Sequence, residues 1–160
     1  MAKLFVSVLL VDDYAPWRDL YSTELQKRTD LRIVAQASDG LEAVQRAEEL
    51  QPDLVLLDVG LPTLNGIEAA RRIREVSPMS RILFASENRS VAIAKEALRT
   101  GALGYLSKMD ATELLPAVQA VLEGRRFLSA SFADHKFGDD LAAWRPQSTD
   151  IPHLEPLMST

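Results

Sequence analysis

The sequence predicts an α/β fold: a doubly wound, five-stranded parallel sheet in which each strand is followed by a helix. Two observations predict it. Short apolar runs alternate five times with segments of helical periodicity, and strands that alternate with helices pair in parallel through right-handed crossovers. Most of the runs also lack polar alternation, as strands do when helices cover both faces.

The first strand is read at Leu4–Val11, stopping at Asp12-Asp13. Its apolar run follows Lys3 as a secretory leader would, but no small-residue cleavage site follows, so a buried strand is the reading. A helix from Ala15 to Arg28 comes next, with Pro16 early, where a missing N–H is no loss. The second strand, Leu31–Ala37, is interrupted by Arg32 and Gln36 and is placed at a sheet edge. Ser38-Asp39 then offer caps for a helix over Leu41–Leu50. The third strand is Leu54–Leu57, with a helix over Gly66–Glu75. The fourth is Ile82–Ala85, followed by a helix over Val91–Thr100 that Gly101 ends. The fifth is Leu103–Leu106. The last helix starts at Asp110, with Glu113 in a capping-box position and Pro116 set to bend it or delay its start.

After residue 128 the alternation stops. Residues 129–160 hold three of the eight prolines and five acids against two bases, and read as a linker or irregular C-terminal extension, with one short helix near Asp139–Trp144. The division is therefore a domain over residues 1–128 and a tail over 129–160. With 160 residues, 47% hydrophobic and 26% charged, the chain suits one such domain plus a modest extra segment. The absence of cysteine excludes disulfides and thiolate metal sites. A net charge of -5 argues against nucleic acid as a partner of the chain itself. No run approaches the roughly 18 apolar residues of a membrane span, and a cytoplasmic location is expected.

In a sheet of this kind, sites form where strands end at their carboxyl edge. The first strand ends in Asp12-Asp13, the third in Asp58, the fourth in Ser86 and the fifth in Ser107-Lys108. Three carboxylates on one edge repel and raise each other's pKa values. A hard dication such as Mg²⁺ removes the conflict, taking one or two carboxylates, a backbone carbonyl such as that of Gly60, and waters. With no His or Cys nearby, zinc is not indicated. A carboxylate is also a nucleophile toward phosphorus, and transfer onto Asp58 needs its charge balanced by metal and cation. Lys108 supplies the cation and Ser86 a hydroxyl donor. Alone, each residue has a plainer reading: Asp12-Asp13 as helix caps, Asp58 as a turn residue, Ser86 as a loop residue, Lys108 as a solvated lysine. Four strand ends carrying the four required chemistries favour the joint reading.

The segments Val8 to Asp13, Pro52 to Pro62 with Gly66, Ile82 to Ser86 and Gly101 to Lys108 resemble response regulator receivers (CheY-like domains). The likeness spans about residues 4 to 128. Asp39-Gly-Leu-Glu-Ala and the ending Val121 to Ser129 look most like receivers of the LuxR-type subfamily, which usually precede a helix-turn-helix domain; the roughly 30 residues after the domain are too few and too acidic for one. The resemblance implies the flavodoxin-like strand order 2-1-3-4-5. It implies that Asp58 takes phosphate from a sensor histidine kinase, and that Asp13 and the Gly60 carbonyl hold Mg²⁺ with Asp12 assisting. Lys108 would pair with the phosphoryl group, Ser86 would swing toward it, and Tyr105 would move inward with it. Partners would be the kinase and either a downstream protein or a second copy, and the chain would not be an enzyme. The family pattern departs at Met109, where many receivers have proline, and at Gly60 and Asn88, which occupy positions that tune phosphoryl lifetime.

Two other classes remain open. One is the receiver part of a DNA-binding transcription regulator. The other is an enzyme, either a dehalogenase-type phosphatase, which needs an acid where Gly60 stands, or a flavodoxin-like flavin binder, whose first loop should be richer in hydroxyls and glycine than Asp-Asp-Tyr-Ala-Pro.

Overall fold

The computed structural model describes residues 4–132. Strands and helices alternate as β1 (Val6–Val11), α1 (Ala15–Leu25), β2 (Leu31–Ala37), α2 (Gly40–Leu50), β3 (Leu54–Leu57), α3 (Gly66–Val76), β4 (Arg81–Ser86), α4 (Val91–Arg99), β5 (Gly104–Ser107), α5 (Leu114–Leu122) and β6 (Phe127–Leu128). The sheet is parallel throughout, in the order β2-β1-β3-β4-β5-β6. Five strands take the predicted order 2-1-3-4-5. A sixth, only two residues long, adds beyond β5, with Gly104 opposite Phe127 and Tyr105 opposite Leu128.

The two faces of the sheet carry separate cores. Leu9, Val11, Val55, Leu57, Ile82, Phe84 and Tyr105 pack with Ala43, Ala47, Ile67, Ala70, Ile73, Ala94 and Leu98 of α2, α3 and α4. Val8, Leu10, Leu54, Leu56, Leu83 and Leu106 pack with Tyr21, Leu25, Leu114, Val118 and Val121 of α1 and α5. The alternation of side chains along each strand feeds both layers. Each large apolar side chain so buried contributes about 1.5–3 kcal/mol. β2 pairs only with β1 and exposes Arg32, Val34 and Gln36 to varying degrees, as the interrupted pattern predicts for an edge.

Local signals fix the helix starts. Asp39 accepts from Glu42 N at 2.8 Å, and Glu42 reaches back to Ser38 N at 3.0 Å. Asn65 caps α3 through Glu68 N, and Ser90 caps α4 through Ile93 N. Gly101 follows α4 with φ 98°, the left-handed position expected of it. α1 stops at Leu25, short of Arg28, which lies in the turn beyond it and pairs with Asp30 at 2.6 Å. The strand expected from Leu4 begins at Val6, and Leu4 is exposed.

The capping box expected at Asp110 and Glu113 does not form. Asp110 caps a single 3₁₀ turn, Ala111–Glu113, through Thr112 N. Glu113 instead accepts from Ser129 Oγ at 2.7 Å and Ala130 N at 2.9 Å. α5 starts only at Leu114, which leaves Pro116 in its first turn, where its missing N–H costs no bond. The same contacts carry ordered packing past residue 128. Ser129 Oγ also accepts from Ser107 N at 2.6 Å, and Phe132 is buried edge-on against Tyr105, ring centres 5.5 Å apart. The short helix expected near Asp139–Trp144 lies outside the described residues.

Candidate functional site

β1 and β3 end side by side, β5 ends one strand further on beyond β4, and the residues that follow these three strands build the site. Register pairs Val11 with Leu57 and Leu57 with Phe84, so Asp12, Asp58 and Ala85 form one row across the sheet. Asp58 follows β3 on the α1/α5 side, and its backbone is held from below. Gly66 N donates to Val59 O at 2.7 Å, and a Cβ on Gly66 would stand 1.9 Å from the Asp58 carbonyl oxygen. Only glycine lets α3 start that close to the acid. Gly40 makes the same close approach to the Leu64 carbonyl, so α2 supports the far side of that loop.

Four predicted residues meet. Lys108 Nζ pairs with Asp12 Oδ2 and lies 3.5 Å from Asp58 Oδ1. One carboxylate oxygen each from Asp12, Asp13 and Asp58 lie within 4.8 Å of one another. Asp12, Asp58 and Lys108 are buried, while Asp13 is exposed at the mouth. Asp12 does not cap α1, whose N-cap is Tyr14 with no side-chain cap bond; its Oδ1 accepts from Tyr14 N at 3.0 Å and so turns the chain ahead of the helix. Asp58 Oδ1 accepts from Val59 N at 2.9 Å. Burial, the largest influence, pushes the Asp58 carboxyl above its ordinary value; Lys108 draws it down, and Asp12 pushes it up again.

These donors fit the implied metal. Three carboxylates within such reach, with no nitrogen or sulfur ligand, are the oxygen set a hard dication takes. Asp12, Asp13 and Asp58 would hold Mg²⁺; Gly60, two residues past Asp58, is exposed, and a Cβ there would meet nothing within 4 Å. When bound, the ion would neutralise charge on the acids and on an incoming phosphoryl group.

Ser86 and Tyr105 form a second group beside the first. Ser86 Oγ accepts from Asn88 N at 3.0 Å, and Tyr105 Oη donates to Asn88 O at 3.0 Å. Burial raises the Tyr105 pKa, with a hydrogen bond to Ser86 pulling the other way. Ser86 is thus turned toward Tyr105 and Asn88, not toward Asp58. The inward movement implied for Tyr105 meets a side chain that is already inside, at 0% exposure. Its ring packs against those of Phe84 and Phe132.

Several site neighbours escaped sequence reasoning. Trp17 faces the Lys108 ammonium, and Arg18 donates to the Asp12 carbonyl at 2.6 Å. The Tyr21 hydroxyl is buried without a hydrogen-bond partner, and burial together with the charges of Asp12 and Asp58 raises its pKa. The spacing of Trp17 and Tyr21, one turn apart on the helix led by the acidic pair, was the available signal.

Comparison with known families decides what this edge belongs to. The model of the response regulator receiver domain matches residues 8–119. The chain belongs to the response regulator receiver family. This receiver is 36% identical over 120 residues to the transcriptional regulatory protein LnrK of Bacillus subtilis, a match covering 74% of this chain and 54% of that one. It is 36% identical over 124 residues to the nitrate/nitrite response regulator protein NarL of Escherichia coli, covering 77% and 57%. It thus spans about half the length of such relatives. Among solved structures, a LuxR-family two-component response regulator from Aurantimonas superposes with a TM-score of 0.79 at 35% identity, covering 86% of this chain and 99% of that one. The response regulator domain of Thermotoga maritima CheB gives 0.69 at 35% identity, covering 74% and 96%. As a receiver the chain takes part in two-component, phosphoryl-accepting signalling. Among the described residues no helix is long and apolar enough to cross a membrane.

Proposed function

We propose that this receiver accepts a phosphoryl group from a sensor histidine kinase onto Asp58, with Mg²⁺ bound, and so switches a protein-interaction surface. One observation carries the reading: the Lys108 ammonium lies 3.5 Å from Asp58 Oδ1 in a cluster of three acids, two of them buried. Asp58 is then the nucleophile, its ionised form favoured by the ammonium. Lys108 holds the charge of the incoming group, and Asp12 and Asp13 hold the metal beside it with the Gly60 carbonyl. The chain assists its own phosphorylation and dephosphorylation without turning over an external substrate, and acts in the cytoplasm.

Added charge at Asp58 draws the Ser86 hydroxyl from Asn88, which loosens the Asn88–Tyr105 tie at the start of α4. The face so altered would meet a downstream protein or a second copy of the chain. Incubation with acetyl phosphate and Mg²⁺ tests the reading: the mass should rise by one phosphoryl group, and Asp58→Ala should abolish the gain. A gain that survives Asp58→Ala sinks it.

A second reading is that this receiver is the regulatory part of a longer DNA-binding transcription regulator. The names of relatives such as LnrK, and the half of their length that is matched, favour it. The net charge of -5 keeps DNA contact out of this chain itself. The reading frame downstream of Thr160 decides between the two.

A further inference from the structure

The phosphoryl-acceptor reading leaves one wall of the cluster without a task. Lys108 Nζ lies 5.1 Å from the centre of the Trp17 ring. That is within the range where an ammonium is drawn to an aromatic face, and indole is the strongest such face among side chains. Trp17 sits in the first turns of α1 and is half-buried. One turn further on, Tyr21 backs it, the ring centres 5.9 Å apart and inclined at 58°. Tyr21 is only 2% exposed and packs in the core between α1, α5 and the sheet. The indole therefore meets both a fixed, buried ring and the ammonium.

Lys108 needs such a hold. Its stem is flexible, and its partner Asp12 is also among the acids that fit a metal. An oxygen-seeking cation competes for Asp12 but does not compete for an indole face. We propose that Trp17 is a positioning residue for Lys108. Its ring keeps the ammonium beside Asp58 when Asp12 is claimed, so that Lys108 remains aimed at the phosphoryl oxygens. The purpose of this hold rests on the reading of Asp58 as phosphoryl acceptor, whereas the contact itself does not.

The experiment uses the full chain with Trp144→Phe, so that Trp17 is its single tryptophan. Proton–carbon NMR without metal should show the Lys108 ε-methylene protons shielded by the ring, and Trp17→Leu should return them to the ordinary lysine position. With acetyl phosphate and saturating Mg²⁺, Trp17→Leu should slow phosphoryl uptake about three- to thirtyfold, and Trp17→Phe should recover most of the loss. Tryptophan carrying increasing numbers of ring fluorines weakens the face while preserving its shape, so it serves even if Trp17→Leu does not fold. Uptake should fall with each added fluorine. Unshielded Lys108 protons, or a rate indifferent to fluorination, overturn the inference. Shielded protons in a chain that takes no phosphoryl group on Asp58 overturn the functional reading instead, and the role of Trp17 in transfer with it.

Discussion

Burial works against the charge on Asp58, and Lys108 works for it. Burial is the larger influence, so the folded carboxyl binds its proton more tightly than the ordinary carboxyl of the unfolded chain. The sign of the pH dependence follows. Ionised Asp58 destabilises the metal-free fold above its raised pKa, and the penalty is relieved as pH falls through that value toward the unfolded one. Asp58→Asn keeps the shape and removes the charge. In chelator at neutral pH its urea midpoint should lie above that of the natural chain, and the gap should close as pH falls toward about 4. A gap independent of pH would show that the charge is not the cause. Residue identities at this scale were legible because Asp12, Asp13, Asp58 and Lys108 each close an apolar run. Orientation was not: the same hydroxyl at Ser86 serves Asp58 or Asn88 depending on a rotation the sequence does not record.

Element starts set the site more than element interiors do. α3 begins so close to Asp58 that a methyl group at Gly66 would overlap the Asp58 carbonyl oxygen. Gly66→Ala should cost about 1–3 kcal/mol or more in urea unfolding. It should also slow phosphoryl uptake, because the loop that aims Asp58 must shift. Unchanged stability would mean the helix start is free to slide. Caps and alternation made most elements readable, with Asp39 and Gly101 placed as their chemistry requires. The failure at Asp110 and Glu113 is instructive. A carboxylate three residues past a cap has two donors to choose from, and here the better pair lies sixteen and seventeen residues on, at Ser129 and Ala130. Local spacing does not register a competitor that only the tertiary fold brings near.

The described residues form a sheet with a helical layer on each side, and its edge beyond β5 is finished by β6 together with residues that composition assigns to a tail. β6, Ser129 and Phe132 extend the sheet, satisfy Ser107 N and cover Tyr105. Phe132→Ala should cost about 3 kcal/mol or more, the usual loss for a buried Phe, read from the urea midpoint. A change within error would place the domain's end at 128 after all. This segment was hidden because two strand residues carry no periodicity, and one aromatic among polar residues reads the same whether it packs or not. The position of β1 has another consequence. It precedes the other described strands in the chain yet lies in the sheet's interior, between β2 and β3. On the ribosome, its apolar run has no neighbour until Leu31–Ala37 emerges and only one until Leu54–Leu57 follows. Synthesis at about 5–20 residues per second leaves that run bare for seconds, so a strand that ends in the interior of the finished receiver begins as exposed apolar chain.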